Sequence, residues 1–154
     1  MNRILLREGS VGPRTAQCPP CVLVVDDEDA LRTVLARELR RLGFVVYSTG
    51  SGAEAVVTYC RAPARIDVIL MDVNMPGMSG PEALAAIRAV DPGVRCCFMT
   101  ADDRPGLVSA LMASGAAAVF RKPFSSVNYV SEKLYQITGQ TTGESDPVAG
   151  GSVT

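Results

Sequence analysis

Ile66-Asp67-Val68-Ile69-Leu70-Met71 runs directly into Asp72-Val73-Asn74-Met75-Pro76-Gly77-Met78-Ser79-Gly80. The apolar run reads as a buried strand, and the Asn, Pro, Gly and Ser that follow read as a turn. One carboxylate, Asp72, therefore stands where a strand stops. The pattern recurs along the chain. Val22-Leu23-Val24-Val25 ends in Asp26-Asp27, and Arg95-Cys96-Cys97-Phe98-Met99 ends in Thr100. Ala117-Ala118-Val119-Phe120 is followed by Lys122-Pro123. In an open parallel sheet such ends share one edge, and ligands bind there.

Helical patterns separate the strands. Leu31, Val34, Leu35, Leu39 and Leu42 form a helical stripe over 29–42, closed by Gly43, with Arg32, Arg37, Glu38, Arg40 and Arg41 at the outer positions. Strand 44–48, helix 52–61, strand 66–71 and helix 81–90 follow, the last opened by Pro81. Strand 94–99, helix 104–114, strand 117–120 and helix 124–137 complete five βα units. That alternation predicts an α/β, doubly wound parallel sheet, and the unbroken β-branched strands suit a sheet covered on both faces. Residues 1–20 read as a loose N-terminal tail, 21–138 as the folded domain and 139–154 as a disordered polar tail.

The chain has 154 residues, 47% apolar and 20% charged, with a net charge of −1. So weak a charge gives no field that favours nucleic acid or an anionic membrane. No run reaches the roughly 18 apolar residues of a spanning helix, and the N-terminus carries no signal-like stretch, so a cytoplasmic location is expected. With no histidine, the chain holds neither a phosphorylatable histidine nor a Ser-His-Asp or Cys-His mechanism. Cys96 and Cys97 read as small apolar core residues. Cys18-Pro19-Pro20-Cys21 has redox spacing but leads into a strand, and a zinc site lacks two further ligands.

The strand-end residues suit one kind of chemistry. Asp26, Asp27 and Asp72 brought together repel one another, and a hard divalent cation relieves that repulsion. Mg²⁺ favours oxygen ligands, waters and phosphate, and the Asn74 main-chain carbonyl adds a further oxygen. Lys122 supplies an ammonium and Thr100 a hydroxyl to a phosphoryl group. An aspartate carboxylate accepts a phosphoryl group as an acyl phosphate, and Asp72 is the candidate acceptor. The added charge is about −1.5 to −2, a stimulus that draws Thr100 toward the phosphoryl oxygens.

Val24-Val25-Asp26-Asp27-Glu28, Met71-Asp72-Val73-Asn74-Met75-Pro76-Gly77, Met99-Thr100-Ala101 and Lys122-Pro123-Phe124 resemble the motifs of response-regulator receiver domains, across about residues 21–137. The resemblance implies a five-stranded flavodoxin-like sheet in 2-1-3-4-5 order and transfer from a phosphohistidine of a partner kinase or phosphotransfer protein to Asp72. It implies Mg²⁺ held by Asp27, Asp72 and the carbonyl of Asn74, with Asp26 acting through water. It also implies Lys122 on the phosphoryl group and a cis Lys122–Pro123 bond. One position departs from the family. Receivers carry Tyr or Phe three residues before the lysine, where this chain has Val119; Phe120 points to the opposite face of a strand. Transmission through the 100–106 loop is the expected substitute. Asn74 and Asp102, two after the aspartate and two after the threonine, resemble those of chemotaxis-type receivers and imply no long-lived phosphoform.

About 17 residues follow the last helix, which predicts a single-domain regulator acting through protein contacts, with no direct nucleic-acid or membrane partner. The arginine-rich face of the first helix is the expected kinase dock. In the uncharged 107–114 stretch, either Val108 and Met112 or Leu107 and Leu111 line the core. No enzyme is expected beyond Mg²⁺-dependent self-phosphorylation and slow autodephosphorylation at Asp72. The competing readings are a receiver-like scaffold that does not switch, an aspartate-nucleophile phosphatase and a redox module on Cys18 and Cys21. The phosphatase reading lacks its second acid, because the strand end reads Asp72-Val73-Asn74.

Overall fold

The computed structural model describes residues 18–61 and 66–139. The expected tails over 1–20 and 139–154 fall almost wholly outside the described residues. The order is β1 (Cys21–Val25), α1 (Asp29–Arg41), β2 (Val45–Thr49), α2 (Gly52–Arg61), β3 (Val68–Asp72), α3 (Gly80–Val90), β4 (Cys96–Thr100), α4 (Leu107–Ala113), β5 (Ala118–Arg121) and α5 (Val127–Thr138). The strands form one parallel sheet in the order β2-β1-β3-β4-β5. This is the doubly wound, flavodoxin-like architecture expected from the sequence.

Both faces of the sheet are covered. Leu23, Val25, Ile69, Met71 and Phe98 pack against Ala55 of α2, Ala83, Leu84 and Ile87 of α3 and Leu111 of α4. Val22, Val24, Leu70, Cys97 and Met99 pack against Leu35 and Leu39 of α1 and Val130 and Leu134 of α5. Alternate residues of each strand thus go to opposite layers, so β1, β3 and β4 are buried throughout, as continuous apolar sequence requires. On the edge strand β2, Arg40 Nη2 donates to the Val46 carbonyl at 3.1 Å and covers an otherwise open acceptor.

Element boundaries shift in a consistent direction. Asp72 and Thr100 are the last residues of β3 and β4 rather than the first residues beyond them. The ladder continues one step further because Val73 N–H donates to the Met99 carbonyl and Lys122 N–H to the Thr100 carbonyl. Helix α4 is shorter than its sequence pattern. Gly106 occupies the N-cap at φ 85°, a conformation outside any helix, so Arg104 and Pro105 belong to the loop. Of the two alternatives for α4, Leu107 and Leu111 face the core, and Met112 is exposed. Helix α5 starts at Val127, after the Ser126 hydroxyl accepts from the Asn128 N–H at 3.0 Å.

Candidate functional site

The C-terminal edge of β1, β3, β4 and β5 gathers the acids and the lysine. Asp26, one residue past β1, is 0% exposed. Its Oδ1 accepts from the Glu28 N–H at 2.9 Å, and its Oδ2 accepts from Lys122 Nζ at 2.6 Å. The same Nζ lies 3.3 Å from Asp72 Oδ2. One carboxylate oxygen from each of Asp26, Asp27 and Asp72 lies within 4.8 Å of the others. Three carboxylates that close make an all-oxygen donor set that fits Mg²⁺ chemistry, with the outermost acid, Asp27, exposed to incoming solvent and ion.

Lys122 is held from its backbone outward. It follows β5, its N–H is bonded to the Thr100 carbonyl at 2.8 Å, and its bond to Pro123 is cis. Its side chain is 14% exposed. Burial pulls its pKa down, but the hydrogen bond to Asp26 and the charges of Asp72 and Asp26 outweigh burial, and the net direction is up. Asp72 also moves up. Burial is the largest cause, opposed by Lys122, reinforced by the charge of Asp26 and opposed again by the Asn74 main-chain N–H. A carboxylate that burial disfavours in its charged form gains from a cation or from covalent modification.

The turn after Asp72 is locked by its own residues. Ser79 and Glu82 form a reciprocal capping box at the start of α3: Glu82 N–H donates to Ser79 Oγ at 3.3 Å, and Ser79 N–H to Glu82 Oε2 at 3.2 Å. Gly80 N–H bonds the Val73 carbonyl at 2.9 Å. A Cβ on Gly80 would strike the Asp72 carbonyl oxygen and come within 3.1 Å of Phe98 Cε1. Only glycine lets α3 start this close to the strand end.

Thr100 is buried at the end of β4, and its hydroxyl accepts from the Asp102 N–H at 3.0 Å. The Asp102 carboxylate is paired with Arg104 at 2.6 Å and is also reached by the Asn74 side chain. The Arg104 hydrogen bond foremost, with a lesser contribution from the Asn74 side chain, lowers the Asp102 pKa. Val119 packs in the layer of α3 and α4, whereas Phe120 lies in the layer of α1 and α5, edge-on to Tyr129 at 6.1 Å. Cys18 is exposed, whereas Cys21 is buried at the start of β1.

Two features escaped the sequence. The capping box was not expected, although Ser79-x-x-Glu82 carries its signature. Arg32 was assigned to the outer face of α1, but its side chain turns back over the β1–α1 loop and is 20% exposed.

The family described as response regulator receiver domain matches residues 22–132. The chain belongs to that family. Transcriptional regulatory protein PrrA of Mycobacterium tuberculosis is 40% identical over 114 residues, covering 71% of this chain and 46% of PrrA. Sporulation initiation phosphotransferase F of Bacillus subtilis is 29% identical over 103 residues, covering 67% of this receiver and 82% of that protein. The chain spans about half the length of the mycobacterial regulators it matches. Among solved structures, chemotaxis protein CheY4 of Vibrio cholerae superposes with a TM-score of 0.70 at 30% identity, covering 78% of this chain and 99% of that one. Response regulator TrrA of Thermotoga maritima, solved in complex with Mg²⁺ and BeF, superposes at 0.66 with 28% identity, covering 77% and 98%. This receiver is thus a phosphorelay signalling module of the two-component kind. Receivers of this family work with histidine kinases and phosphotransfer proteins and are generally switches rather than enzymes. Among the described residues no helix is long and apolar enough to cross a membrane.

Proposed function

We propose that Asp72 accepts a phosphoryl group from a phosphohistidine of a partner kinase or phosphotransfer protein and thereby switches the contacts of this receiver with a downstream protein. A carboxylate oxygen of Asp72 attacks phosphorus, the P–N bond to the partner imidazole breaks, and the imidazole leaves with the electron pair. The observation that carries this reading is the shared Lys122 ammonium, 2.6 Å from Asp26 and 3.3 Å from Asp72. A fixed positive charge beside the acceptor carboxylate supports a role in meeting the phosphoryl oxygens.

Asp27, Asp72 and the Asn74 carbonyl would hold Mg²⁺, with Asp26 acting through water. Both Asp26 oxygens are already engaged, by Glu28 N–H and by Lys122, which favours an indirect role. When bound, Mg²⁺ offsets the charge of the phosphoryl oxygens. Lys122 then moves its ion pair from carboxylate to phosphoryl oxygen. Thr100, one step along the neighbouring strand, offers its hydroxyl once it leaves the Asp102 N–H. The receiver performs no turnover beyond its own phosphorylation and hydrolysis, and it acts in the cytoplasm through protein contacts rather than on nucleic acid.

Acetyl phosphate with Mg²⁺ should give acid-stable, base-labile phosphate on Asp72, and Asp72→Ala should take up none. No uptake from any donor, or equal uptake by Asp72→Ala, would overturn the assignment.

A further inference from the structure

We propose that Arg32 is a positioning residue for the cation site: its guanidinium clamps the β1–α1 loop and so fixes Asp26 and Asp27 for the ion. The inference rests on the metal-assisted reading above. Nη1 donates to the main-chain carbonyl of Asp26 at 2.6 Å, and Nη2 donates to Asp29 Oδ1 at 2.5 Å. The Arg32 N–H also bonds the Glu28 carbonyl at 3.0 Å. The N–H bond is the first backbone bond of α1; the guanidinium itself ties Asp26 in the loop to Asp29 in the first turn of α1, one on either side of Asp27. The clamp is itself seated. A Cβ on Gly50 would lie 3.1 Å from Nη1, and Asp26 N–H is tied to the Thr49 carbonyl at 3.3 Å, so the end of β2 leaves room for the planar fork.

The grip matters because Asp27 itself is exposed. An exposed ligand on an untethered loop must be ordered at the moment the ion binds. Outer contacts that order it beforehand typically change metal affinity by roughly ten- to a hundredfold.

Charge and geometry make opposite forecasts here. Arg32 is a cation near a cation site, so through charge alone its removal tightens Mg²⁺ binding. Through the clamp, removal weakens it. Lysine separates the two further, because it keeps the charge and loses the two-pronged donor. The test is Mg²⁺ titration of the 154-residue chain and of its Arg32→Lys and Arg32→Ala variants, followed by backbone amide shifts, with unfolding midpoints as the check on folding. The expected result is Mg²⁺ binding weakened about tenfold in both variants. Phosphate uptake from acetyl phosphate should recover the parental rate at saturating Mg²⁺. Parental affinity in Arg32→Lys, or tighter binding in Arg32→Ala, would overturn the clamp while leaving the site reading intact. A parent chain that binds no Mg²⁺ would overturn both. Should Arg32→Ala fail to fold, Arg32→Lys alone decides.

Discussion

Replacing Lys122 by methionine tests the electrostatic logic of the pocket. The ammonium sits 2.6 Å from Asp26 and 3.3 Å from Asp72. At an effective dielectric near 20, those separations correspond to gross attractions of about 6 and about 5 kcal/mol. The two carboxylates, with oxygens within 4.8 Å, repel by at least about 3 kcal/mol on the same scale. Most of the gross attraction is offset by desolvation, and breaking a buried pair costs about 3 to 5 kcal/mol net. Asp72 lies at the rim and can protonate, so the lower figure applies: a loss of about 3 kcal/mol without Mg²⁺, or roughly 10 °C in Tm. Added Mg²⁺ should stabilise Lys122→Met more than the parent, because the ion no longer competes with an ammonium for the same oxygens.

The pH dependence of that difference has a definite sign. Asp72 has a raised pKa in the folded protein, so acidification through that range removes its charge and the gap narrows. Lys122 is raised too, so its contribution is complete below the ordinary lysine range and fades as pH climbs through the raised value. Urea unfolding followed by far-UV circular dichroism, with and without millimolar Mg²⁺, reads all of this. Equal stability of variant and parent at neutral pH without Mg²⁺, or a gap indifferent to both Mg²⁺ and pH, would refute the reasoning.

Three further outcomes follow from single contacts. Iodoacetamide at mildly alkaline pH should label Cys18 and Cys60, which are exposed, and spare Cys96 and Cys97, whose thiols burial pushes up, the latter to about 12; mass spectrometry of the folded chain showing modified Cys97 would contradict this packing. Gly80→Ala should cost about 1 to 3 kcal/mol by overpacking and slow phosphate uptake by about a hundredfold through displacement of Asp72, and an unchanged midpoint would show that the turn has more room than it displays. Beryllofluoride with Mg²⁺ should move the amide signals of residues 101–104 and 106 more than that of Val119, and the reverse order would return the signal to β5.

The strands and their acid, hydroxyl or lysine endings were legible because a sheet covered on both faces demands unbroken apolar runs, and a run that stops at Asp26, Asp72 or Thr100 marks the edge directly. Val119 and Phe120 were legible by strand parity alone. Helix ends were less so. The apolar spacing of 104–114 continues past the point where Gly106 breaks the helix, and periodicity does not register a left-handed residue. Arg32 was misplaced for a related reason: a long side chain on an outward position can fold back over the preceding loop, and the acceptors that draw it there, the Asp26 carbonyl and Asp29, leave no pattern in hydropathy.

If Asp72 is phosphorylated as proposed, Val119 bears on how the signal would leave this pocket. A bulky ring at that position would swing into space vacated by the threonine; a valine has one short branched side chain and is already packed against the core. What remains coupled to Thr100 is main chain. Its hydroxyl holds the Asp102 N–H, Asp102 holds both the N–H and the guanidinium of Arg104, and Arg104 leads through Pro105 to Gly106 at the start of α4. Drawing the hydroxyl toward a phosphoryl oxygen breaks the first of these bonds and frees a loop that no side chain caps onto α4. That helix is seven residues long and carries no charge; Arg88 Nη1 of α3 holds its C-cap Ser114 carbonyl at 2.7 Å, whereas its start is seated by Leu107 alone. Under the proposed phosphorylation of Asp72, the output would be a shift of the 101–106 loop and the start of α4, with β5 comparatively still.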